Sequence, residues 1–233
     1  MQMDFDETKF SGVARLFPLP AVSLFPRLVQ PLHIFEERYR LMMEDALDDD
    51  GLIAMAVLKP GWEIDYPSRP PLESVACLGK IVAHHRLDDG RFNLMLAGVR
   101  RIRIDSEIEP PESFRRASVT LLKDREPIDA TEGVDELRLQ VTEAFRRALP
   151  AEPPEQLQEV FDGAAPISLL TDLAAFTLPL AEPIKRRLLA EIDAAARAKI
   201  LLECLHESQE GPSDEADGGA SRGFGYPPSF SDN

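Results

Sequence analysis

Cysteine is scarce. In 233 residues only Cys77 and Cys204 occur, each among apolar neighbours and with no framework spacing. That excludes a disulfide scaffold and predicts buried free thiols in a reducing compartment, hence a cytoplasmic location. Long apolar runs are missing too. The longest, Leu52 to Leu58, falls far short of the ~20 residues that a membrane-crossing helix needs, and no basic-then-apolar leader opens the sequence. No membrane partner is expected. Positive charge is in deficit, with 26 Lys and Arg against 41 Asp and Glu for a net charge of -15. Nucleic-acid affinity comes largely from neutralised phosphates, so DNA or RNA could be held only by a local basic patch. Arg100, Arg101 and Arg103, with Arg115 and Arg116, form the one candidate. The alternation Arg101-Ile102-Arg103-Ile104 instead reads as the solvent-facing side of a strand.

Motifs for chemistry are absent or misplaced. No G-x-x-x-x-G-K-[ST] occurs, so no backbone cradle with its lysine is available for a triphosphate. Gly219 to Gly223 fits G-x-S-x-G around Ser221, but a nucleophile elbow needs a strand before it and a helix after it. Neither surrounds Ser221, which lies in a low-complexity stretch, and Ser213 is discounted because no lysine follows it to serve as a general base. His84 and His85 are neighbours on a strand and point to opposite faces. Together with Cys77, His33 and His206 they lack the spacing of a zinc site. His33 reads as a hydrogen-bonded structural imidazole. Glu36, Glu37 and Asp48 to Asp50 read as solvated helix surface. No metal, cofactor or catalytic residue is expected.

The chain does carry a well-ordered alternation of patterns. Residues 1–10 read as a loose leader. Pro18, Pro20, Pro26 and Pro31 break the next stretch into short edge strands and turns, because proline lacks a ladder donor. Phe35, Tyr39, Met42, Met43, Ala46 and Leu47 form one stripe of a helix from about Glu36 to Leu47, with Gly51 letting the chain turn out. Leu52 to Leu58 has the continuous apolar character of a strand covered on both faces. After a proline-rich loop, Ile81 to Leu87 and Arg91 to Ala97 alternate with period two across an Asp88-Asp89-Gly90 turn. Gly98 marks a bulge or bend before Arg101 to Ile104, and a further strand is expected at Ala117 to Leu122. Beyond Pro127 the period becomes helical. Helices are predicted near Val134 to Ala148, Glu155 to Phe161, Ser168 to Phe176, Glu182 to Ile192 with Pro183 in its first turn, and Ala194 to His206 capped by Asp193. The expected architecture is α+β: a small, partly closed β-barrel over residues 11–123, a helical bundle over 132–206, and a disordered acidic tail over 207–233.

Three segments together resemble the amino-terminal, substrate-recognition region of Lon proteases. They are Leu16 to Pro20 with Leu24 to Pro26 and Pro31 to Tyr39; Gly79 to Val82 with Asp89 to Ile104; and Leu170 to Phe176 with Lys185 to Asp193 and Arg197 to Leu205. The likeness runs from about Leu16 to Leu205. It implies a PUA-like barrel followed by helices, and a role in engaging unfolded or tagged polypeptides. Lon proteases continue into an ATPase and a peptidase and this sequence does not. The expectation is therefore a stand-alone, non-catalytic member, like others of the family and its cereblon-like relatives.

The favoured reading is thus a module that binds client polypeptides in a groove near the junction of barrel and bundle, alone or beside a protease or chaperone. Candidate contacts are Phe25, Leu28, Trp62, Tyr66 and Phe92. Trp62, the sole tryptophan, sits in the proline-rich loop. It reads equally as a binding anchor or as cover for the barrel end. For Phe25 and Phe92 a place in the core is the stronger reading. A peptidase and an RNA-binding barrel are the competing functions.

Overall fold

Leu52 to Val57 serve two cores at once. In this strand Leu52, Ala54 and Ala56 join one buried cluster, while Ile53, Met55 and Val57 join another. A strand covered on both faces has to be apolar at every position, which is why this run carries no polar residue.

The computed structural model describes residues 5–22, 24–65, 69–109, 113–127, 133–150, 152–163 and 165–210. Among them lie strands β1 (Val13–Leu19), β2 (Val29–Ile34), β3 (Leu52–Val57), β4 (Val75–Arg86), β5 (Phe92–Glu107) and β6 (Arg115–Leu122). All belong to one mixed sheet. β1 runs parallel to β3 and antiparallel to β6; β4 joins β3 to β5; and the far half of β5 returns to β6. Five strands therefore close into a barrel, and β2 lies outside the ring on the near half of β5. The interior is filled by small or branched side chains, including Ala14, Ala54, Ala56, Ala76, Ala117, Leu16 and Ile102. The barrel's outer face, α1 (Glu37–Asp48) and the later helices share a second, continuous core. The α+β class, with its partly closed barrel and helical bundle, is the one expected from the sequence.

Several local expectations need correction. β1 is flanked on both sides despite Pro18. Its β6 partner covers only Val13 to Leu16, whereas β3 covers Leu16 to Leu19. At Pro18 one side of the strand is therefore unpaired, so the missing N–H costs no ladder bond. The leader is not loose where it is described: Glu7–Lys9 form a turn of 3-10 helix capped by Asp6, and Phe5 and Phe10 pack against the barrel-interior cluster. The stretches on either side of Gly98 belong to one strand, β5, and the expected bulge is present within it: Gly98 pairs with Gly79 and Arg100 with Leu78, so Val99 is the extra residue. Gly98 is needed there because a Cβ would sit 2.2 Å from the Phe25 carbonyl oxygen.

The helices lie close to their predicted ranges, but α4 needs correction. An apolar stripe of Leu169, Leu173 and Phe176 is expected there, and these are only half-buried, while Ile167, Leu170, Ala174 and Ala175 face the core with Ser168, Thr171 and Asp172. α2 (Val134–Ala148), α3 (Glu155–Asp162), α4 (Ile167–Thr177), α5 (Glu182–Ala190) and α6 (Ala194–Glu210) complete the chain. Val141, Phe145, Leu170, Leu188 and Leu201 are buried, each contributing about 1.5–3 kcal/mol by leaving water. Asp193 caps α6 through the Ala196 N–H at 3.0 Å. Arg125, just past β6, exchanges backbone hydrogen bonds with Ile192 and Ala194, tying the connection to the α5–α6 turn. The tail expected from residue 207 begins later than that, because α6 continues to Glu210; residues 211–233 lie outside the described residues.

Candidate functional site

Where α5 meets the barrel, a small cleft opens. It is lined by Val22, Val57, Glu73, Ser74, Val75, Arg186, Leu189 and Ala190. Its rim is fixed by polar contacts. The Val22 N–H donates to Glu182 at 2.9 Å, and Arg186 donates to the Pro20 carbonyl at 3.2 Å and faces Glu73 at 3.8 Å. Burial lowers the pKa of the neighbouring Lys185, with the Glu182 charge opposing it. The proline-rich loop leaves and rejoins the sheet at this rim. Leu58 bridges Leu72, Lys59 donates to Pro71, and Glu73 donates to Val57. These bonds staple the base of the loop that carries Trp62, which lies half-buried in a short 3-10 turn, Trp62–Asp65.

The five predicted contact residues do not converge on one surface. Phe25, Leu28 and Phe92 are buried in the shared core and offer no contact surface; Phe92 pairs with Arg86, at the opposite end of β4 from the Val75 that lines the cleft. Phe25 lies under Gly98, and Phe92 carries the Arg86 guanidinium over its ring at 5.4 Å. Tyr66 lies outside the described residues. Trp62 alone of the five is both described and partly exposed.

Sequence reasoning missed the polar centre of the junction. Arg101 is fully buried, not solvent-facing. Its side of β5 is roofed by α4 and α5, while the barrel interior takes Ile102. Arg101 donates to Asp172 at 2.6 Å, to Asp124 at 3.0 Å and to the Leu189 carbonyl at 2.9 Å. Arg197, also fully buried, donates to Asp124 at 3.0 Å, to Thr171 at 2.9 Å and to the Glu191 carbonyl at 2.7 Å. Arg27 completes the group through Ser168 at 2.7 Å and Asp172 at 3.4 Å. Burial opposes the charge on Arg101, but Asp172 and Asp124 outweigh it and its pKa rises. Burial also pushes the Cys77 thiol up, against the pull of Arg101, which leaves it a poor nucleophile. The missed signal was Asp172, a carboxylate inside the apolar stripe of α4. A buried charge requires a buried partner.

No group of three or more His, Cys, Asp or Glu side chains capable of holding a metal occurs among the described residues. His33 is hydrogen-bonded to Asn93 at 2.6 Å. Ser213 and Ser221 lie outside the described residues.

A family model for the ATP-dependent protease La (LON) substrate-binding domain matches residues 13–207. The chain belongs to the Lon substrate-binding domain family. Among curated Lon proteases, that of Cytophaga hutchinsonii is 25% identical over 206 residues, covering 88% of this chain and 25% of the relative. That of Brevibacillus choshinensis is 26% identical over 197 residues, covering 84% of this chain and 25% of the relative. The chain thus spans about a quarter of the length of the Lon proteases it matches. The N-terminal domain of Mycobacterium avium complex Lon protease has the same fold, with a TM-score of 0.66 at 18% identity over 84% of this chain and 98% of that one. A Lon N-terminal domain protein from Xanthomonas campestris superposes with a TM-score of 0.60 at 22% identity, over 82% and 97%. In this Lon substrate-binding fold the cleft and the buried arginine network share α5: Leu189 lines the cleft and its carbonyl accepts from Arg101. No helix among the described residues is long and apolar enough to cross a membrane.

Proposed function

We propose that the chain is a recognition module that holds exposed segments of unfolded or tagged polypeptides and performs no chemistry on them. The observation that carries this reading is the substrate-binding-domain match across residues 13–207. The geometry supports it: a loop bearing the sole tryptophan rises from the rim of a cleft where barrel meets bundle. Large aromatics anchor flexible ligands at low entropic cost. Trp62 and Tyr66 are the proposed contacts. The barrel over 11–123 and the bundle over 132–206 act together, and the protein works in the cytoplasm. Held clients would pass to a protease or chaperone.

Trp62 also supplies the readout, because all tryptophan emission comes from it. Titration with unfolded casein is expected to shift that emission saturably, and Trp62→Ala to weaken binding measured by anisotropy of labelled casein. Casein is expected to stay intact with and without ATP. Cleavage abolished by Ser213→Ala or Ser221→Ala would replace this reading with a peptidase.

A further inference from the structure

The β4–β5 hairpin runs on past the barrel. β3 flanks β4 only from Cys77 to Lys80, and the Ile81 N–H closes that side on the Gly51 carbonyl at 2.9 Å. From Ala83 to Arg86, β4 pairs with β5 alone among the described residues, and Val82 to Arg86 are all exposed. The phase of the ladder says which backbone groups point away. Leu87 donates to the Arg91 carbonyl at 2.8 Å, so Leu87 occupies a bonded position. Bonded and non-bonded positions alternate in an antiparallel pair. Ala83 and His85 therefore face β5, and His84 and Arg86 turn their N–H and C=O groups outward. A bulge between Ile81 and Ala83 sets off Val82, whose side chain is 43% exposed beside this edge.

Free edges are usually blunted by charged side chains, proline, a bulge or a covering element. The sheet's other margin, β2, carries Pro31. The β4 margin has a bulge at Val82 and basic side chains, but no proline from Val75 to Arg86. Its side chains are one-sided in charge: Lys80, His84, His85 and Arg86, with no carboxylate in the strand, on a chain of net charge -15. Arg86 leans on Glu44 of α1 at 2.8 Å. A second copy pairing edge to edge would set these imidazole and cationic groups against their own kind. An extended segment bearing carboxylates would meet complementary charge.

We propose that residues 82–86 of β4 receive an extended client segment, with carboxylates among its side chains, as an added strand of the sheet. Main-chain hydrogen bonds give affinity that tolerates many sequences, which suits a module that must hold varied unfolded chains. The proposal rests on the polypeptide-binding reading above and adds a second place of contact, at the opposite end of β4 from the cleft and the Trp62 loop.

The test uses the full chain with carboxymethylated α-lactalbumin, a permanently unfolded protein, and a synthetic peptide of alternating Val and Glu. Binding is expected to slow hydrogen exchange at the His84 and Arg86 amides. His84→Pro, which removes an outward N–H and no bond to β5, is expected to weaken binding about tenfold. The same peptide N-methylated at alternate residues is expected not to bind, a result that holds even where the proline variant fails to fold. If the wild-type chain binds the unfolded protein while those amides exchange unchanged and the methylated peptide binds equally, the edge is not the site and the recognition reading stands. If the wild-type chain binds neither, both fall. A dimer that protects these amides without any peptide also overturns the proposal, in favour of a second copy.

Discussion

Asp172 shows how much a single side chain holds in this fold. It is fully buried and receives Arg101 at 2.6 Å and Arg27 at 3.4 Å, with Arg197 at 3.6 Å. Removing one partner of a buried pair leaves the others charged and desolvated, at a cost of about 3–5 kcal/mol. Asp172→Ala is expected to lose that much in urea unfolding, whereas Arg101→Met with Asp172→Leu is expected to lose less than the sum of the single changes. Gly98 is a second such position. Its Cα lies against the Phe25 carbonyl, so Gly98→Ala must push apart two backbones and is expected to cost on the order of 1–3 kcal/mol. Cys77 and Cys204 should separate by reactivity. Cys77 is buried with a raised pKa and Cys204 is half-buried. In a thiol-reagent assay Cys77 is expected to react only as fast as the chain unfolds.

At the scale of elements, α1 is locked to β1 by one residue. Arg15 donates to Asp49 at 2.8 Å and Asp50 at 2.7 Å, and also to Asp45. The hydrogen bond from Arg15 holds the Asp49 pKa below its ordinary 3.8, with burial opposing it weakly. A depressed native pKa means the unfolded chain binds more protons in the acid range, so this contribution is complete above the ordinary value and is lost as pH falls through the native one. Melting temperatures measured across the acid range are expected to fall less steeply with acidification in Arg15→Met than in the wild type. Elements were also the most legible scale in the sequence. The stripe of α1, the two-faced run of β3, the Asp88 to Gly90 turn with Gly90 at φ +84°, the first-turn Pro183 of α5 and the Asp193 cap of α6 are local patterns, and local patterns fix local structure. Arg101 and Pro18 were misread because the decisive neighbours are distant. Burial of Arg101 depends on helices some 70 to 90 residues later, and the tolerance of Pro18 depends on where the β6 ladder ends. The same limit applies to the candidate site. Trp62 in its loop could be read directly from composition, but Phe25, Leu28 and Phe92 could be assigned to core or surface only once the helices that cover them were placed.

Over the whole molecule, one apolar core runs from the outer face of the barrel through α1 and into α2, α4, α5 and α6, and the arginine network crosses the same junction. Barrel and bundle are expected to unfold in a single transition, with circular dichroism and Trp62 fluorescence giving coincident midpoints. The functional claim belongs to this scale as well, since a surface at the junction exists only when both parts are folded. It is tested most directly by binding one client in two states, native α-lactalbumin with its disulfides and the same protein reduced and carboxymethylated. The account predicts saturable binding of the unfolded form only, followed through Trp62 or a label on the client. Equal binding of both forms, or of neither, would contradict it.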